Sequence, residues 1–127
     1  MTITLDRLDH LVLTVADIKR TIAFYTGVLG MQEVTFGTRK ALRFGNQQIN
    51  LHERGHEFEP KAASPTPGSG DLCFLTSLPL EQVTRELERA QVRIELGPVE
   101  RSGAAGALRS VYLRDPDGNL LEISNRV

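Results

Sequence analysis

Read for alternation of apolar and polar positions, the chain runs through one order of elements twice. Over residues 8–15, Leu11, Leu13 and Val15 fall on one face and Leu8, His10, Val12 and Thr14 on the other, the period-two pattern of a strand. Asp17 offers a helix N-cap, and Ile18, Ile22, Tyr25 and Leu29 recur at helical spacing up to Gly30. Strands are predicted over 31–36, 39–44 and 47–53, with turns at Gly37-Thr38 and Gly45-Asn46. Residues 55–70 are rich in Pro, Gly, Ser and charge and have no apolar period, so they predict a surface linker. The order then restarts. A strand over 70–76 leads to a helix with Pro79 at its first position and a stripe of Leu80, Val83, Leu87 and Ala90. A strand over 92–96, a loop over 97–106 and a final hairpin of 107–113 with 120–124 follow. That hairpin is closed by the dense turn chemistry of Asp115-Pro116-Asp117-Gly118-Asn119.

The repeat predicts an α+β fold of two tandem βαβββ modules, with a curved mixed sheet around a shared cavity. The domain plan is one domain over 1–127: module one at about 5–54, a linker at about 55–69 and module two at about 70–125. Sliding the first half along the second carries His10 onto Asp71, and a somewhat longer slide carries His52 onto Glu122. All four are polar strand residues opposite their strand's most apolar face. If the apolar faces pack on the helices, these four line the concavity. Two His and one or two carboxylates converging there make a divalent-metal site. Glu122 stands out because a carboxylate among Leu120, Leu121 and Ile123 is costly unless it is paired, hydrogen-bonded or on a metal. The plain alternative is an edge-strand Glu facing water.

Composition narrows the function. A chain of 127 residues with net charge −1 gives no electrostatic case for nucleic acid or an acidic membrane. No apolar run reaches membrane-spanning length, and the N-terminus has no signal-peptide pattern. The single Cys73 forms no internal disulfide, so the expected setting is reducing and cytoplasmic. Five Phe, two Tyr and no Trp argue against a stacking platform for bases.

Three stretches carry a family resemblance: Leu-Asp-His-Leu-Val-Leu-Thr-Val at 8–15, Thr-Ile-Ala-Phe-Tyr-Thr-Gly-Val-Leu-Gly-Met at 21–31, and Arg-Asp-Pro-Asp-Gly-Asn-Leu-Leu-Glu-Ile at 114–123. With them the chain resembles the vicinal oxygen chelate superfamily, which includes glyoxalase I, extradiol dioxygenases, fosfomycin-modifying enzymes and bleomycin-resistance proteins. Within it, residues 49–53, 71–74 and 97–103 are similar to the glyoxalase domain-containing protein 5 group. The resemblance implies metal ligands at His10, His52 and Glu122. It implies a divalent ion such as Zn, Mn, Fe, Co or Ni, bidentate binding of a small substrate, and a homodimer. Asp71 stands where many relatives carry His. That departure disfavours ring-cleaving dioxygenase and favours lyase or isomerase chemistry, with Asp71 and Glu122 as candidates for the catalytic work. Asp71 has three open roles: ligand, general base, or acceptor orienting a histidine. The alternative is a non-catalytic small-molecule or antibiotic-binding protein.

Each candidate has a plain reading beside it. His10 alone is a satisfied strand histidine, and His52 depends on strand register. His56 in the linker is solvated. Cys73 is more often a small apolar residue than a nucleophile. Arg109 is best read as solvated and Tyr112 as sheet packing.

Overall fold

The computed structural model describes all residues, Met1–Val127. Residue contacts divide the chain into two compact units, Met1–Thr66 and Pro67–Val127. The first holds β1 (His10–Val15), α1 (Ile18–Gly27), β2 (Gln32–Phe36), β3 (Arg39–Phe44) and β4 (Gln47–Glu53). The second holds β5 (Asp71–Leu75), α2 (Leu80–Arg89), β6 (Leu96–Gly103), β7 (Gly106–Arg114) and β8 (Leu120–Arg126). Both are βαβββ modules with one four-stranded mixed sheet, ordered β1-β4-β3-β2 and β5-β8-β7-β6. In each, the outer pair β1–β4 or β5–β8 is parallel and the rest are antiparallel. No helix or strand interrupts residues 54–70. No helix is long and apolar enough to cross a membrane.

Alternation decides which face is buried. In module one, Leu13, Val15, Leu42, Ile49 and Leu51 are buried on one face of the sheet, which packs on α1 through Tyr25. In module two, Val111, Leu113, Leu121 and Ile123 do the same against Leu80, Val83 and Leu87 of α2. Burying side chains of this size contributes about 1.5–3 kcal/mol each.

Each helix start is also held by a residue the sequence pattern does not reveal. Asp17 caps α1 as expected, accepting from the Arg20 amide at 3.2 Å. The Ile18 amide is taken by Glu53 Oε2 at 3.1 Å, a carboxylate from the end of β4 placed at a helix N-terminus. Pro79 is the cap position of α2 rather than its first helical residue, and it supplies no side-chain bond. Instead Asn125, near the end of β8, accepts the Leu80 amide at 2.8 Å.

The expected loop over 97–106 is mostly strand. β6 runs to Gly103 and turns directly into β7. It is an edge strand carrying Arg101, Ser102 and Gly103, so no apolar alternation marks it. Its start is bulged between Leu96 and Val99. Gly97 makes the bulge possible: it sits at φ +112°, and a Cβ there would lie 2.4 Å from the Ser110 carbonyl oxygen.

Candidate functional site

The ladders set the equivalence between modules. His10 pairs with Gln48 and Val12 with Asn50, while Asp71 pairs with Leu120 and Cys73 with Glu122. With His10 matched to Asp71, the counterpart of Glu122 in the repeat is therefore Asn50, and not His52. His52 corresponds to Ser124. The two helix caps agree, because the same alignment carries Glu53 onto Asn125. Sequence reasoning missed Asn50. The available signal was its flanks, since this alignment sets Ile49 and Leu51 on Leu121 and Ile123.

In module two the sheet face opposite α2 gathers a polar cluster. Cross-strand partners share a face, so Cys73, Glu122 and Tyr112 lie on one rung, and Ser124 and Ser110 on the next. Ser110 Oγ donates to Glu122 Oε2 at 2.6 Å. Ser110 and Ser124 hydroxyls meet at 2.6 Å, and Ser124 Oγ lies 3.3 Å from Cys73 Sγ. Each hydroxyl has one hydrogen. With Ser110 donating to the carboxylate, Ser124 donates to Ser110 and accepts from the Cys73 thiol. Ser124 is also 3.4 Å from Glu122 Oε2, a poorer geometry than its bond to Ser110. Desolvation, reinforced by the negative Glu122, pushes the Cys73 thiol up from its usual range. A raised thiol holds its proton more firmly and is less activated as a nucleophile.

Glu122 is thus fixed at one oxygen and open at the other: Oε1 takes no hydrogen bond, yet no buried side-chain oxygen or nitrogen in the protein lacks a partner. It faces a pocket of about 350 Å³ lined also by Cys73, Arg101, Leu108, Tyr112 and Arg126. Arg101 Nε donates to Tyr112 Oη at 3.0 Å, with its guanidinium 5.5 Å from that ring's centroid. Arg109 does not join the pocket lining; it pairs with Glu81 at 2.7 Å. Asp71 is exposed at the start of β5, one rung from Glu122 and on the same face.

Module one separates its two histidines. His10 lies on the Gln48 rung and His52 on the Thr14 rung, four residues further along the ladder. That is about 13 Å along the strands, too far for two parallel side chains to meet at one ion. His10 is exposed, and its Nδ1 is 2.9 Å from Asp9 Oδ2. His52 is 7 % exposed and packs edge-on to Phe58 at 5.6 Å, with the Arg39 guanidinium 4.2 Å from the Phe58 centroid. Gln48 Nε2 donates to Asn50 Oδ1 at 2.7 Å, and Gln48 Oε1 accepts from Arg43 at 2.9 Å. No group of three or more His, Cys, Asp or Glu side chains is gathered to hold a metal ion. An imidazole and an open carboxylate oxygen are suitable donors, but these side chains alone do not complete a coordination sphere.

Comparison with known proteins follows the same lines. The chain is 60% identical over 124 residues to virulence protein STM3117 of Salmonella typhimurium, covering 97% of this chain and 86% of the relative. It is 52% identical over 119 residues to glyoxalase domain-containing protein RDO1 of Mycosarcoma maydis, covering 93% and 67%. The crystal structure of the Salmonella protein superposes with a TM-score of 0.97 over 98% of this chain and 100% of that one. Lactoylglutathione lyase from Agrobacterium tumefaciens shares the fold at 22% identity, with a TM-score of 0.73 over 95% and 94% of the two chains. The family model for the glyoxalase/bleomycin resistance protein/dioxygenase superfamily matches residues 7–123, so the chain belongs to that superfamily.

Proposed function

We propose that the protein is an enzyme acting on a small oxygen-rich substrate in the module-two pocket, by lyase or isomerase chemistry, with Glu122 as its central group. The carrying observation is the asymmetry of that carboxylate: Oε2 is held by Ser110 at 2.6 Å while Oε1 stays open. A carboxylate locked at one oxygen presents the other in a fixed direction, which is what proton transfer or coordination requires. Ser110 and Ser124, both fully buried, maintain that direction. Asp71, exposed on the neighbouring rung, is the second group able to move a proton.

His10 and Glu122 would be the donors to a divalent ion, which would supply Lewis-acid stabilisation of charge on substrate oxygens. His52, expected from the sequence as a third donor, lies four residues along the ladder from His10, and this reading leaves it outside the donor set. The reading also takes the protein as a cytoplasmic homodimer; a monomer in sedimentation at micromolar concentration would remove the dimer.

Elemental analysis of protein purified without tag or chelator tests the reading. About one divalent ion per chain is expected, lost in His10→Ala and in Glu122→Ala. Metal retained in His52→Ala leaves that residue outside the donor set. No metal as purified, and none taken up on titration with Zn, Mn, Fe(II), Co or Ni, points instead to a small-molecule-binding protein.

A further inference from the structure

Resting on the reading of this pocket as the reaction site, we infer that its substrate is a small organic oxyanion, a carboxylate or phosphonate, whose charged end seats on Arg101 and Arg126. Arg101 of β6, Leu108 of β7 and Arg126 of β8 are successive partners on one rung. Their side chains therefore share the pocket face, with the two arginine backbones about 10 Å apart.

Neither guanidinium has a carboxylate partner. Arg109, Arg114 and Arg89 of this module are paired, with Glu81, Glu95 and Glu86, and Arg85 and Arg93, which are not, lie outside the pocket lining. Arg126 makes no side-chain hydrogen bond or ion pair, and Arg101 binds only the Tyr112 hydroxyl and the Glu100 carbonyl. Two like charges within about one screening length repel one another. The acidic group among the lining residues is Glu122, so two cations face one anion. An incoming oxyanion cancels that excess.

Arg101 is held against Tyr112, which lowers the ordering cost of a guanidinium–oxyanion contact. The remaining wall, with Leu75, Leu108 and Ala104, suits a short apolar body. The volume lies near the lower end for small-molecule sites, so the ligand is small.

The test is titration calorimetry on the full chain, as purified and after chelation, with mandelate, its neutral amide and phenylphosphonate as probes. At least one oxyanion should bind, at least about tenfold tighter than the amide, and more weakly at higher salt. Arg101→Gln and Arg126→Gln should each weaken oxyanion binding several-fold and together abolish it. Arg→Lys at either site should recover part of it, which separates charge recognition from misfolding. Preference between carboxylate and phosphonate identifies the headgroup. Equal binding of amide and oxyanion, unchanged oxyanion binding in the folded double Gln variant, or no binding of either oxyanion overturns the inference. Arginine-dependent binding in a protein that never takes up metal sustains this inference and removes the metal reading. Arginine-independent binding in a metal-loaded protein does the reverse.

Discussion

Asp115→Ala probes the turn that delivers Glu122 to its rung. Asp115 is 6 % exposed, and its carboxylate accepts from the amides of Asp117 at 2.9 Å and Asn119 at 3.0 Å through Oδ1 and from Asn119 Nδ2 at 2.7 Å through Oδ2. Asn119 is itself buried and accepts the Gly70 amide at 2.7 Å, tying the turn to the start of β5. Alanine leaves both Asn119 donors buried without their acceptor, while the Asp117 amide is more easily rehydrated. Each stranded buried donor costs about 1–3 kcal/mol, and relief of the carboxylate's own burial offsets part of the sum. A net loss of about 3 kcal/mol follows. Unfolding entropy of about 2.1 cal/mol/K per residue over 127 residues converts this to a drop in melting temperature of about 11 °C. Far-ultraviolet circular dichroism melts of wild type and variant measure it. A drop below about 3 °C would refute the argument that these bonds anchor the hairpin. Asp115→Asn retains a carbonyl oxygen and should recover part of the loss.

Ser110→Ala removes the 2.6 Å donor to Glu122 and should lower stability in urea by about 1–2 kcal/mol; an unchanged midpoint contradicts the locking role. Gly97→Ala places a Cβ 2.4 Å from a backbone oxygen at a positive φ and should cost about 2 kcal/mol or more, read as a lower melting temperature. Two hydrogen bonds from Arg114 hold Glu95 below the usual carboxylate range, and a single one from Arg109 lowers Glu81. With folded values depressed, the stabilisation is present above the unfolded value of about 4.3 and lost as pH falls through the folded one. The stability difference between wild type and Glu95→Gln should therefore shrink on acidification through this window; a difference that is constant with pH would show that the pair does not act.

Much of the fold was legible because each module's core uses simple periods. Alternation in β1, β4, β7 and β8 follows from burying one face of a sheet, and the apolar stripe of α2 from packing on it. The Asp115–Asn119 turn was legible from residue chemistry, including its Pro and Gly. The edge strand β6 was not, since pairing on one side only places no apolar demand on Arg101 or Ser102. The capping roles of Glu53 and Asn125 were hidden as well, because each caps a helix that lies far from it along the chain.

The sequence by itself determined the doubled βαβββ order, the buried face of each sheet, and Glu122 as a carboxylate with something to answer for. Only tertiary structure decided register. Matching Glu122 to His52 or to Asn50 keeps every side chain on the same face, because the strand period is two, so alternation cannot distinguish the alignments. The hydrogen-bonded ladders can: they match Asn50 to Glu122, hold His10 and His52 four residues apart, and bring Arg101 and Arg126 onto one rung.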